Sequence, residues 1–198
     1  MAEIAIINMS DYEGIVDFIF EINNMKRLKH SGTRYAGVSE PDSIAEHVFR
    51  VAQIGYILAG LEGVDRLKVL EICLFHDNGE VRVGDHTLIA QRYFDRNEGE
   101  EKAFEDQIAQ LPDEVRARLT GLITTYNDTG KPVEYVVARD ADLLETIFKA
   151  HEWAELGYPL SRWVANGKEM LSTKSAQKIV ESMEGKSFVD WWYNLNKV

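Results

Sequence analysis

The chain has 198 residues, 45% of them hydrophobic and 28% charged, with a formal net charge of −11. This fits one globular domain with a core large enough to need no covalent staples. The charge argues against nonspecific binding to a nucleic-acid polymer, whose phosphates it repels, but not against a small phosphate ester, because one arginine in a pocket outweighs a distant surface. The single cysteine, Cys73, lies in an apolar run and reads as a packed small side chain with no disulfide to form inside the chain. No stretch approaches a membrane span, and Met1 to Ser10 has neither a basic start nor a long hydrophobic run, so a cytoplasmic protein is expected.

Proline is scarce and strand-like alternation rare, so helical period dominates. Asp11 to about Leu28 reads as a first helix, with Ile15, Phe18, Ile19 and Ile22 on one side. His30 to Glu40 reads as a loop holding Gly32 and Gly37. Pro41-Asp42-Ser43 starts a helix that runs to about Gly60. Asp65 to about Phe75, rich in Leu and Ile, is a central helix, and Asn78 to Gly84 is a break with at most a short turn. Glu98 to Gln110 carries Phe104 and Ile108 on its apolar face. Pro112-Asp113 opens a helix ending before the turn cluster Asn127-Asp128-Thr129-Gly130. Pro132 starts a long helix to about Leu156, and helical pattern resumes from about Leu160 to Met183. The tail carries Trp191, Trp192 and Tyr193. The expectation is an all-α, single-domain helical bundle.

Three short segments carry the chemistry. His47 has Ile44, Val48, Val51, Gly55 and Leu58 at helical spacings, so its imidazole points inward. Alone, such a histidine is an ordinary core residue. His76-Asp77 changes that reading. The pair ends the run Leu70 to Phe75, apolar apart from Glu71, and an ionised Asp there costs several kcal/mol unless something positive meets it. A divalent cation meets that need, with the imidazole completing a nitrogen and oxygen pair. Gly79 favours a loosened backbone that turns both side chains toward one ion. On the long helix, Asp140 lies nearer the apolar stripe of Val133, Val136, Val137, Leu144, Ile147 and Phe148. Asp142 lies on a second face with Tyr135, Ala138 and Ala141. Periodicity does not choose between the two aspartates.

These residues resemble the H…HD…D pattern of the HD-domain metal-dependent phosphohydrolases. The chain is most similar to the single-domain 5'-deoxyribonucleotidases of that family. Ser43-Ile44-Ala45-Glu46-His47 matches their Ser-x-x-Glu/Asp-His, and His76-Asp77-Asn78-Gly79-Glu80 with Gly84-Asp85 matches their His-Asp-x-x-Glu and Gly-Asp. Ala141-Asp142 matches their later Ala-Asp or Leu-Asp, which selects Asp142 over Asp140. The resemblance implies one HD domain over residues 1–198, with a core about 12–156 and C-terminal helices about 160–198 packing on it. It implies one divalent metal ion held by His47, His76, Asp77 and Asp142. Manganese, cobalt, zinc, iron, magnesium and copper all remain open. It also implies a homodimer, and removal of the 5'-phosphate from deoxyribonucleoside monophosphates.

Glu80, one turn past His76, is assigned to water activation, and Asp85 to orienting the nucleophile or assisting the leaving group. The same resemblance puts a phosphate-gripping Arg and an aromatic in the loop before His47, read here as Arg34 and Tyr35, with Arg27 a competitor. Tyr35 stands where relatives usually have Trp, and threonine replaces an acid in Ile123-Thr124-Thr125-Tyr126. His86 is kept beside the site or facing solvent, and His30 and His151 read as surface or packing residues. Two other readings remain: hydrolysis of a deoxynucleoside triphosphate or alarmone, which needs more basic residues, and a non-catalytic module that binds metal or nucleotide. Retained Glu80 and Asp85 argue against the module.

Overall fold

Ser43 makes a reciprocal cap: its Oγ accepts the Glu46 N–H at 3.3 Å, and the Glu46 carboxylate accepts the Ser43 N–H at 2.6 Å. This starts the helix that carries His47. In the computed structural model, which describes residues 8–124, 131–193 and 195, the helices are α1 (Met9–Ile22), α2 (Ile44–Glu62), α3 (Arg66–Phe75), α4 (Glu80–Val83), α5 (Arg96–Ile108), α6 (Asp113–Thr124), α7 (Val133–Glu155), α8 (Ser161–Met170), α9 (Lys174–Met183) and α10 (Asp190–Tyr193). Short 3-10 turns cover Asn23–Lys26, Gly32–Ala36 and Ala90–Arg92. Among the described residues there is no strand, only an antiparallel bridge between Lys29 and Ser43 that ties the loop to the start of α2. The chain is all-α. None of the described helices is long and apolar enough to cross a membrane.

α2, α3 and α7 form the centre, each packed against the other two. Val51, Leu58, Val69, Ile72, Val137 and Leu144 are buried between them, each contributing about 1.5–3 kcal/mol of burial. Gly55 lets α2 and α3 approach closely, since a Cβ there would stand 2.6 Å from Cys73 Sγ. α8 lies along α7, and α9 touches both α2 and α7. α5 and α6 bring Phe104, Ile108 and Leu119 onto the same core. Cys73 is a buried core side chain, and burial pushes its thiol up to about 12.

The structure departs from the sequence pattern at two places. α1 stops at Ile22, because the asparagines after it favour a tighter turn, and Ile19 faces outward at 56% exposure. The turn cluster 127–130 lies outside the described residues. The segment expected as one helix from Leu160 is two, α8 and α9. Asp140 explains the break. It is fully buried, and its carboxylate accepts the N–H groups of Ser172 at 3.0 Å and Thr173 at 2.6 Å. Those amides sit where a continuous helix would turn them inward on itself, and Thr173 then caps α9 by accepting the Ala176 N–H.

Asp140 is thus a structural acceptor on the buried stripe. Asp140→Ala removes the acceptor of the Ser172 and Thr173 N–H groups and is expected to cost about 3 kcal/mol. Urea denaturation at neutral pH measures it, and a loss under about 1 kcal/mol would contradict this role.

Candidate metal centre

His47 comes from the first turn of α2, His76 and Asp77 from the end of α3, and Asp142 from the middle of α7. Their side chains converge. His47 Nε2 lies 3.2 Å from Asp142 Oδ1 and 3.4 Å from Asp77 Oδ2. His76 Nε2 lies 3.3 Å from the same Asp77 oxygen without making a hydrogen bond, and is buried with no other partner. One ligand atom each from His47, His76 and Asp142 falls within 4.8 Å of the others. Ligands held about 2.1 Å from one ion stand roughly 3–4 Å apart, as His47 Nε2 does from Asp142 and Asp77 and His76 Nε2 does from Asp77, so these donors fit a divalent cation. An orphaned buried imidazole nitrogen facing two carboxylates is otherwise unexplained.

Each imidazole is oriented by its other nitrogen. His76 Nδ1 donates to the Cys73 carbonyl at 2.9 Å, leaving Nε2 for the centre. His47 Nδ1 lies 2.6 Å from Glu145 Oε2, which Lys149 meets from behind at 3.0 Å. Glu145 and Lys149 are both buried. Glu145 escaped the sequence reading, although it lies three residues past Asp142 and four before Lys149, a charged pair on an otherwise apolar stripe. Burial opposes the charge on His47, but hydrogen bonds to Asp142 and Glu145 and the charges of Asp142 and Asp77 lift the ring to about 10. Burial likewise opposes ionisation of Glu145, and the His47 hydrogen bond with the Lys149 charge holds it down to about 2. Asp142 is held low by His47 against its own desolvation.

A cavity of about 220 Å³ opens beside these residues. Asp77, Glu80, Asp85, Glu100, Glu101 and Asp142 all line it. Glu80 is buried, and its Oε2 has no hydrogen-bond partner. Desolvation and then the charges of Asp77, Asp85 and Glu100 raise its pKa far above the carboxylate range. Asp85 follows Gly84, whose φ of +88° permits the turn. Its Oδ2 accepts the Ser31 N–H at 2.6 Å and lies 3.2 Å from His30 Nδ1. Burial opposes its charge, but the His30 and Ser31 contacts hold it down to about 2.

His30 is therefore a site residue, not the surface or packing residue its sequence context suggests. It lines the cavity, and its ring meets that of His47 edge-on with centroids 4.8 Å apart. No motif flags it. The His30 N–H to Asp42 carbonyl bond, at 2.9 Å, and the Lys29–Ser43 bridge place it there. Arg34 and Tyr35 are not brought to the cavity. Both are exposed, Tyr35 at 69%, because the 3-10 turn carrying them buries only Thr33. Arg27 is exposed on its own turn, bonded to Asn24. His86 bonds the Gly84 carbonyl and packs on Phe94 outside the cavity lining. His151 bonds the Lys186 carbonyl on a different face. Thr125 and Tyr126 lie outside the described residues.

The sequence pattern of the HD domain matches residues 22–180. The chain belongs to the HD-domain family. This HD domain is 30% identical over 162 residues to a Dictyostelium discoideum protein named 5'-deoxynucleotidase HDDC2, covering 77% of this chain and 82% of that one. It superposes on a conserved hypothetical protein from Pyrococcus furiosus with a TM-score of 0.70 and 32% identity, covering 84% of this chain and 97% of that one. At 14% identity and a TM-score of 0.54, it shares its fold with a cyanophage S-2L HD phosphohydrolase whose structure holds dA and one catalytic Zn2+, covering 91% of this chain and 95% of that one.

Glu145→Gln is expected to lower metal affinity about 10–100-fold, because it frees the His47 ring. Metal titration of the metal-free protein checks this. The raised His47 pKa gives a second outcome with a definite sign. In metal-free protein its stabilisation is complete below about pH 6.5 and is lost as pH rises through about 10. A metal requires the ring unprotonated at Nε2, so binding releases a proton and affinity rises with pH across that window. Calorimetry in buffers of different ionisation enthalpy would show no proton release if this is mistaken.

Proposed function

We propose that this HD domain is a divalent-metal-dependent phosphohydrolase that removes the 5'-phosphate from deoxyribonucleoside monophosphates. His47, His76, Asp77 and Asp142 would hold the ion. One observation carries the catalytic reading: a buried, unpartnered Glu80 oxygen beside that quartet. An ion serving only structure has no use for it. The substrate class is supported by the curated relatives named 5'-deoxynucleotidase, several of which match across more than two thirds of this chain.

When bound, the ion supplies Lewis acidity toward a phosphate oxygen and lowers the pKa of water. Glu80 accepts the proton of the attacking water; the charge of the ion would offset the burial and the Asp77, Asp85 and Glu100 charges that keep its carboxyl protonated in the metal-free protein. Asp85 stays ionised, anchored by the Ser31 N–H, and holds the His30 ring so that its edge borders the reacting centre. The P–O bond to the deoxynucleoside breaks, and its 5'-oxygen takes the proton that Glu80 removed from the water. Hydrolysis of a triphosphate or alarmone is disfavoured by a specific observation. Among the described residues lining the cavity, Arg96 is the single lysine or arginine, which suits one phosphate and not several.

The proposed form is a cytoplasmic homodimer. The outward face of α2 supports it, where Phe49, Tyr56, Ile57 and Leu61 are exposed, and so does the tail with Trp191, Trp192 and Tyr193. A monomer by sedimentation velocity at micromolar concentration would remove the dimer.

Glu80→Gln is expected to retain the metal while phosphate release falls about 100-fold or more. Loss of metal in this variant, or retained turnover, would count against the assignment. In a panel of nucleotides with each candidate ion added to metal-free protein, 2'-deoxy monophosphates should turn over faster than ribo forms. Equal turnover would contradict the deoxynucleotidase reading, and Arg34→Ala should leave KM unchanged.

A further inference from the structure

We infer that Arg96, the first residue of α5, is the cation that grips the substrate's phosphate across the cavity from the metal quartet. This rests on the phosphohydrolase reading and supplies the anion-recognising group that Arg34 is not placed to supply.

The electrostatics of the cavity demand such a group. Six carboxylates line it, and a phosphomonoester brings up to two further negative charges. Like charges brought together in a cavity of low dielectric repel strongly. One divalent ion shared among four protein ligands leaves Glu80, Asp85, Glu100 and Glu101 facing the anion. Arg96 lines the same cavity and is always charged. Its planar fork matches two phosphate oxygens at once, which a lysine does not do.

Its placement is built into the fold. Arg96 and Glu100 are one turn apart on α5, and Arg96 Nε lies 3.2 Å from Glu100 Oε1. Glu100 thereby steadies the guanidinium at the cavity wall. The same turn of α5 rests directly on Gly79, two residues past Asp77, since a Cβ there would stand 2.3 Å from the Glu100 carbonyl oxygen. No side chain fits between them, so the start of α5 is held against the segment that follows His76 and Asp77. At 32% exposure the Arg96 side chain remains within reach of an entering ligand. A role confined to balancing Glu80 and Glu100 would need no such reach, and the two roles differ in what they predict.

The test measures inorganic phosphate binding to the metal-loaded protein by calorimetry, for the wild type, R96Q and R96K. R96Q is expected to weaken phosphate binding about tenfold or more with one metal still bound, and R96K to recover part of the loss. In turnover, KM for the monophosphate should rise by a similar factor, with a smaller change in kcat. Unchanged phosphate affinity in R96Q would overturn the inference. So would loss of metal together with phosphate, which would make Arg96 a support for the centre. Phosphate binding needs no turnover. If the protein binds phosphate through Arg96 yet hydrolyses no nucleotide, the substrate reading fails and the role of Arg96 stands.

Discussion

Mutual repulsion among the carboxylates around one cavity is the constraint on which the rest of this structure depends. Acidic groups gathered there, several of them largely buried, would drive the site apart in a medium of low dielectric. The fold offsets them from three directions. His47 and His76 face Asp77 and Asp142, His30 faces Asp85, and Lys149 stands behind Glu145. The remaining imbalance is one that a divalent cation at the proposed site would remove. Metal binding and local stability are therefore one property of the same residues.

The site also depends on how firmly its imidazoles are held. A ligand histidine that can rotate loses much of its affinity for an ion, so the partner of its second nitrogen matters. Here one partner is a backbone carbonyl at the end of α3 and the other a buried glutamate on α7. The backbone partner comes free with the helix end. The glutamate needs its own compensating lysine, and the i, i+4 spacing on α7 provides it. α7 thus contributes Asp142 to the centre, Glu145 to its orientation and Asp140 to the joint between α8 and α9. One helix serves three faces of the problem because its neighbours surround it.

Chemistry is separated from binding across the cavity. The four residues proposed to hold the ion sit where α2, α3 and α7 pack together. Glu80 and Asp85 follow on a single helical turn and a glycine-permitted bend, set against α5. Arg96 approaches from α5 itself. The groups proposed to hold an ion, move a proton and grip an anion thus come from different elements.

The helical periodicity, the caps and the motif spacing were enough to determine an all-α chain and to nominate His47, His76 and Asp77. These signals are local, carried by residues within a turn or two of one another. Glu80 and Asp85 were singled out by the family resemblance of the motif around His76-Asp77, and both line the cavity. Asp140 and Asp142 could not be told apart by period, because both lie near buried faces and only the neighbours on those faces differ. His30 and Arg34 show the same limit more sharply. They are four residues apart in one loop, and a bridge to Ser43 and a 3-10 turn put one into the cavity and the other into solvent. Glu145, Lys149 and Arg96 acquire their roles from partners that packing supplies. Sequence determines what a residue can do within its own helix; which charge stands opposite it is decided by the long-range contacts that bring α2, α3, α5 and α7 together.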